Sequence, residues 1–308
     1  MNRREFLVGA AAATGLAATS RAWAQGRDQA KLARLAIMSL SFGNILKNAN
    51  QPDEPARTLD LMDIGQMYAD RFGIHHVELQ HTHIPSTEEV WLKEFRARLA
   101  KTKSQVTNIN LEFGALNVSA PEPVLRLQAI DLTKRWIDHA ATLGCPRVMI
   151  NQGALTQESK QAAIATLRLI GAYGKAKRIM VGVENRGAPR SAARGTPAAP
   201  PPPPAAPAPI DYTLLVEVIR AAGVYANCDL GNFTDQESQL AGIRAMLPLT
   251  DGNCHVKMNP ARYDITKALA LTRELGYKGL YSIEAGANMG PDPYENTKKI
   301  LDVILANI

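Results

Sequence analysis

Four short segments each close an apolar run on a side chain able to hold a cation. VGVEN supplies Glu184, NCDLGNF Asp229, CHVKMN His255 and YSIEAGAN Glu284. Three hard carboxylate oxygens and one imidazole nitrogen form a donor set for one divalent ion. Mn²⁺ suits the mixture best, with Mg²⁺, Co²⁺ and Zn²⁺ as alternatives. Brought together without a cation, the same groups would suffer desolvation and mutual repulsion. Taken singly, each has a plainer reading: Glu184 as a surface strand cap, Glu284 as a partner for a backbone group or an arginine, Asp229 as a turn or helix cap before Gly231, His255 as a satisfied core histidine. Their recurrence at the ends of four successive apolar runs is what makes them a set.

Such a set needs a scaffold that carries distant strand ends to one place. Beyond the first 24 residues, strand-like runs alternate with amphipathic stretches eight times. The strands are expected at Leu35–Ser41, His76–Gln80, Val106–Leu111, Arg147–Asn151, Ile179–Glu184, Tyr225–Asp229, Cys254–Met258 and Leu280–Glu284. The helices are expected at Ala56–Arg71, Thr87–Lys101, Glu122–Leu143, Gln157–Lys177, Tyr212–Ala222, Gln236–Ala245, Asp264–Leu275 and Pro293–Leu305. In RTLDLMDIGQMYADRFG, the apolar residues from Leu59 to Tyr68 approximate one helical stripe and Gly73 ends it. Eight such units argue for an α/β fold of the closed (β/α)8 TIM-barrel type. A doubly wound open sheet is the rival, but SLSFGNILKN after the first strand lacks nucleotide-loop glycine spacing. The Ala/Pro-rich stretch 188–210 interrupts the rhythm, and the alternation resumes after it. It therefore reads as an insertion in the fifth strand–helix loop of a single barrel domain, 25–308, on the face where barrel sites lie.

VENRG, CDLGNF, HVKMN and SIEAG resemble the xylose-isomerase-like barrel superfamily, in its sugar and sugar-phosphate isomerase and epimerase branch. The likeness extends over nearly all of residues 34–307. It implies that Glu184, Asp229, His255 and Glu284 hold the metal, and that Glu184 and Glu284 flank the reacting carbon of a sugar or keto-sugar. In the endonuclease branch a histidine stands three residues after the matching aspartate. Here that position is Asn232, which argues against a trinuclear zinc site and phosphodiester cleavage.

The chemistry so implied is proton transfer beside a carbonyl through an enediolate, with the two glutamates as base and conjugate acid. Return of the proton to the opposite face gives an epimer, and return to the neighbouring carbon gives the aldose–ketose isomer. Lys257, on the same strand face as His255, is a candidate to orient substrate or stabilise an oxyanion. Arg262 is a candidate to grip an acidic group, and Asn185 and Asn232 adjoin the ligands. Glu78, His81 and His83, in HHVELQHTH, are the remaining substrate-binding candidates or a separate His/Glu metal site. Asn108 and Asn110 are expected in the upper barrel, whereas Trp91 and Trp136 are expected to pack between elements. A metal-dependent lyase or hydratase starts from the same enolate. A periplasmic carbohydrate-binding protein would keep the scaffold without turnover.

The chain opens MNRREFLVGAAAATGLAATSRAWAQG, with Arg3 and Arg4 before an Ala-rich apolar run and Ala22-Trp23-Ala24 after it. This is signal-peptide organisation with cleavage after Ala24. The paired arginines resemble a twin-arginine signal, so the export machinery is an expected partner and the periplasm or exterior the expected location. The apolar run is too short for stable membrane insertion. Net charge is +6 over 308 residues without a dense basic block, so no nucleic-acid partner is expected. Three cysteines, Cys145, Cys228 and Cys254, leave at least one unpaired within the chain, with Cys228–Cys254 the conceivable bridge. A homo-oligomer is compatible with the sequence, which offers no single apolar surface stripe to fix one.

Overall fold

In a computed structural model, which describes residues 27–47, 54–186, 211–286 and 289–308, the alternation closes on itself. Eight parallel strands form a barrel in sequence order: β1 Leu35–Met38, β2 His76–Gln80, β3 Gln105–Leu111, β4 Arg147–Asn151, β5 Met180–Glu184, β6 Tyr225–Asp229, β7 Thr250–Val256 and β8 Leu280–Ile283. β8 returns to β1 with Leu35, Ala36 and Ile37 beside Tyr281, Ser282 and Ile283. The helices outside are α1 Ile64–Phe72, α2 Glu89–Lys101, α3 Pro123–Leu143, α4 Lys160–Lys177, α5 Tyr212–Ala222, α6 Gln236–Met246, α7 Ile265–Glu274 and α8 Pro293–Asn307. This is the expected (β/α)8 TIM barrel.

The two-residue period of the strands divides the molecule into two interiors. Leu35, Ile37, Val77, Leu79, Ile109, Val148, Val183, Ala226 and Ile283 pack outward with the helices in one continuous apolar core. The alternate positions face the barrel axis, and most of them are polar: Glu78, Asn108, Asn110, Asn227, Asp229, Asn253, His255 and Ser282, all buried, beside the apolar Ala36, Met38 and Met149. Helix placement brings each strand end into register. α4 approaches β5 at Gly174, where an added Cβ would lie 2.7 Å from the Ile179 carbonyl oxygen and 2.7 Å from Val181 Cγ2. Gly73 and Gly144 end α1 and α3 in the left-handed conformation, φ +67° and +73°, as their positions after the apolar stripes predict. Asp211, Asp235, Asp264 and Asp292 cap α5 to α8 through side-chain oxygens.

Three boundaries depart from the sequence expectation for local polar reasons. β1 stops at Met38 because Ser39–Phe42 turns into a 3-10 segment, and its hydroxyls serve neighbouring chain. Ser39 Oγ accepts from Gln80 N–H at 2.9 Å, and Ser41 Oγ accepts from Ala285 N–H at 2.9 Å. The first helix begins only at Leu61, in a 3-10 turn capped by Asp60. β7 starts at Thr250, earlier than Cys254, and ends before Lys257. Cys145, Cys228 and Cys254 are all buried free thiols, so the conceivable Cys228–Cys254 bridge is not formed, although the two are register partners. Among the described residues no helix is long and apolar enough to cross a membrane. The expected signal peptide, 1–24, and the insertion, 188–210, lie outside the described residues.

Candidate metal centre

β5, β6 and β7 and the residue after β8 deliver Glu184, Asp229, His255 and Glu284 to one point at the C-terminal mouth. One ligand atom from each lies within 4.8 Å of the others. His255 Nδ1 is the hub: Glu184 Oε1 is 2.9 Å away, Glu284 Oε2 3.5 Å and Asp229 Oδ2 3.9 Å. Glu184, Asp229 and His255 are buried, and Glu284 is 14% exposed towards the mouth. Lys257, one layer above His255, brings Nζ to 2.8 Å from Asp229 Oδ2 and 2.9 Å from Glu284 Oε1.

The donor set fits a divalent ion on electrostatic grounds. Four carboxylates, counting Glu78, surround His255 and Lys257, so with all four ionised even a protonated ring leaves two negative charges unmatched in a largely buried site. Asp229 Oδ2, despite its ion pair with Lys257, has no aligned hydrogen bond. Burial pushes the Glu184 carboxyl up to about 7, against the opposing pull of His255 and Lys257. Burial opposes charge on His255, yet Glu78 and Glu184 raise its pKa well above the usual imidazole value. Burial likewise opposes the Lys257 charge, but Asp229, Glu284 and Glu184 hold the ammonium ionised. Asp229 stays below the usual carboxylate range: Lys257 and His255 outweigh its burial.

The other candidates separate into three positions. Asn185 is fully buried; its Oδ1 accepts Asp229 N–H at 2.7 Å and its Nδ2 donates to the Asp229 carbonyl at 2.9 Å. It thus pins the backbone of a candidate ligand. Glu78 is also fully buried, below His255, with Oε1 2.6 Å from His255 Nε2. Lys257 and Asn232 do border the mouth, joined by Nζ donating to Asn232 Oδ1 at 3.2 Å. Arg262 is half-buried after β7, with no ion pair among the described residues.

His81 and His83 follow β2 at the same end of the barrel, but neither joins the carboxylate cluster. His81 Nδ1 accepts from Glu112 N–H at 3.3 Å, and its ring meets Phe113 and Trp136 edge-on. His83 Nδ1 lies 2.9 Å from Ser39 Oγ; burial, helped by nearby Arg57 and His81, lowers its pKa to about 4. Trp136 is buried and meets His81 of the segment after β2, between elements as expected; Trp91 stacks on Phe95 of its own helix and packs, partly buried, against the core.

Sequence reasoning passed over Asn227 and Asn253, which form the layer below the ligands. Asn253 Nδ2 donates to Glu78 Oε2 at 3.2 Å and to Asn227 Oδ1 at 3.0 Å. The signal was available: Asn227, Asn253 and Ser282 each precede a candidate ligand by two residues, and so share its face. Glu112, which ion-pairs with Arg186 and accepts from Asn151 Nδ2 at 3.3 Å, gave no such signal.

Known proteins share this architecture. L-ribulose 3-epimerase superposes with a TM-score of 0.66 at 14% identity, over 89% of this chain and 94% of that one. 3-Keto-D-glucoside 4-epimerase YcjR of E. coli gives 0.63 at 12%, covering 89% and 99%. D-Psicose 3-epimerase of Clostridium cellulolyticum H10 gives 0.62 at 14%, covering 89% and 96%. At such identities the likeness establishes the barrel. Comparison with curated proteins gives no significant match. Residues 67–197 match the family described as the xylose isomerase-like TIM barrel.

Proposed function

We propose that the protein is a divalent-metal-dependent sugar isomerase or epimerase, with Mn²⁺ as its ion. The observation that carries this reading is the convergence of four ligand atoms within 4.8 Å, three of their residues buried, at the mouth of a barrel. Glu184, Asp229, His255 and Glu284 would hold the ion. When bound, it would supply a positive charge that polarises a carbonyl oxygen and acidifies the adjoining C–H. The structures that share the barrel include three epimerases acting on keto-sugars by their names.

The proton chemistry belongs to the chain. Glu184, pushed up to about 7, can hold and release a proton near neutrality, as a relay requires. Glu284, at the more open side, is the group of the pair that solvent reaches. The two carboxylates would address a carbon lying between them, one removing a proton and the other returning it. Lys257 and Asn232 border that space and would orient the substrate's oxygens, with Arg262 at the rim. The substrate class is a small carbohydrate or polyol derivative. The amino-terminal segment 1–24 is proposed as a cleaved twin-arginine signal that places the mature chain in the periplasm or outside; its absence from exported material, checked by N-terminal sequencing, is expected.

Metal analysis of freshly purified protein, then incubation with neutral ketoses, aldoses and keto-glycosides in deuterated water, tests the function. Metal-dependent incorporation of deuterium with formation of an epimer or isomer is expected. An unsaturated product would instead assign elimination, and sugar binding without exchange would assign a binding protein.

A further inference from the structure

An imidazole can give a metal only the nitrogen that carries no proton, so whatever binds the opposite nitrogen decides whether the ring is a ligand at all. In this barrel two carboxylates compete for the His255 ring. Glu184 Oε1 lies 2.9 Å from Nδ1, on the side of the candidate ion, and Glu78 Oε1 lies 2.6 Å from Nε2, on the far side. A neutral ring protonated at Nδ1 would donate to Glu184 and block its own ligand position. A ring protonated at Nε2 leaves the Nδ1 lone pair free.

The far carboxylate is built in with more care than a chance ion pair requires. Glu78 has no exposed surface. Asn108 Nδ2, from β3, donates to its Oε1 at 3.0 Å, and Asn253 Nδ2, from β7, donates to its Oε2 at 3.2 Å. One oxygen is therefore held from the neighbouring β3 and the other from β7 across the barrel, and the carboxylate is aimed at one ring nitrogen. Glu78 stands across the ring from Nδ1, so it is neither a fifth ligand nor a group that substrate meets.

We infer that Glu78 is the positioning residue of the metal centre: it accepts the Nε2–H of His255, fixes the tautomer that frees Nδ1, and so strengthens divalent-ion binding. The inference rests on the reading of Glu184, Asp229, His255 and Glu284 as ligands. Asn108 and Asn253 act through Glu78, one step further out.

The test is Mn²⁺ affinity of the full mature chain, measured by calorimetry for the wild type, Glu78→Gln and Asn108→Ala, with circular dichroism and thermal melting alongside. Glu78→Gln keeps the volume and removes the charge, and a 10–100-fold weaker Mn²⁺ affinity is expected. Asn108→Ala leaves the carboxylate in place but loosens it, so a smaller loss, roughly threefold to tenfold, is expected, and it decides the matter should Glu78→Gln not fold. A merely structural role would lower the melting temperature and leave affinity unchanged; a folded variant within about twofold of wild type overturns the inference. Nitrogen-15 shifts of the Zn²⁺-loaded wild type should show His255 protonated at Nε2, and protonation at Nδ1 overturns it equally. A wild type that binds no divalent ion would instead sink the ligand reading itself, a separate result.

Discussion

Glu184 is the residue whose surroundings say most about chemistry. Burial lifts its carboxyl to about 7, while Glu284, 14% exposed, shares the same imidazole and the same lysine. A relay between them needs both carboxylates, since each can neither take nor return a proton as an amide. Glu184→Gln and Glu284→Gln should each lower turnover by about 10²–10⁴-fold with the fold retained by circular dichroism. Full activity in both would reject the shared proton-transfer role. The same groups set the pH dependence of metal binding. Glu184 and His255 both have raised pKa values, so each carries a proton at pH values below its own, and an incoming ion must displace it. Mn²⁺ affinity should therefore fall as pH drops, by about tenfold per unit for each proton displaced, and more steeply below about 7, where Glu184 adds its proton to that of His255. Titrations between pH 5.5 and 8 would read this, and a flat profile would mean that neither group is a ligand.

At the scale of elements, the ends of β5 and β6 are tied together by one side chain. Asn185 gives Asp229 both a donor and an acceptor in a fully buried place, standing where a strand hydrogen bond would otherwise be. Asn185→Ala orphans both backbone groups and should cost about 1–3 kcal/mol, read as a lowered denaturation midpoint. It should also weaken Mn²⁺ binding, because Asp229 loses its fixed direction. A variant with an unchanged midpoint would show that β6 is held by its ladder alone. Much of this layout is legible in the sequence. Strands end on Glu184, Asp229, Asn151 and Gln80 where apolar alternation stops, and eight alternations close a barrel by count. The supports are harder to see. Asn185 and Glu78 look like ordinary polar residues in or beside strands, and only the closed barrel reveals that one faces the backbone of the next strand and the other a histidine across the axis. The early stop of β1 is equally hidden, since Ser39 and Ser41 act on Gln80 and Ala285, far away in sequence.

Across the whole molecule, the candidate ligands come from one half of the barrel and part of their support from the other. Glu184, Asp229, His255 and Glu284 belong to β5–β8 and the loop after it, while Glu78 and Asn108 belong to β2 and β3. Ser41, after β1, closes the seam by donating to the Ile283 carbonyl and accepting from Ala285 N–H, next to Glu284. An ion that binds only the native state should raise stability by about 2.7 kcal/mol at a hundredfold excess over its Kd, reversibly on chelation. How that stabilisation spreads is the informative part. A centre supported by β5–β8 alone would slow amide exchange in those strands and leave β2 as it was. With His255 braced on Glu78, ordering the ring also orders the carboxylate behind it and the asparagines that hold it. Hydrogen exchange with and without Mn²⁺ should therefore show added protection in His76–Gln80 as well as in β5–β8. Protection confined to β5–β8 would mean that the two halves of the barrel respond to the ion independently.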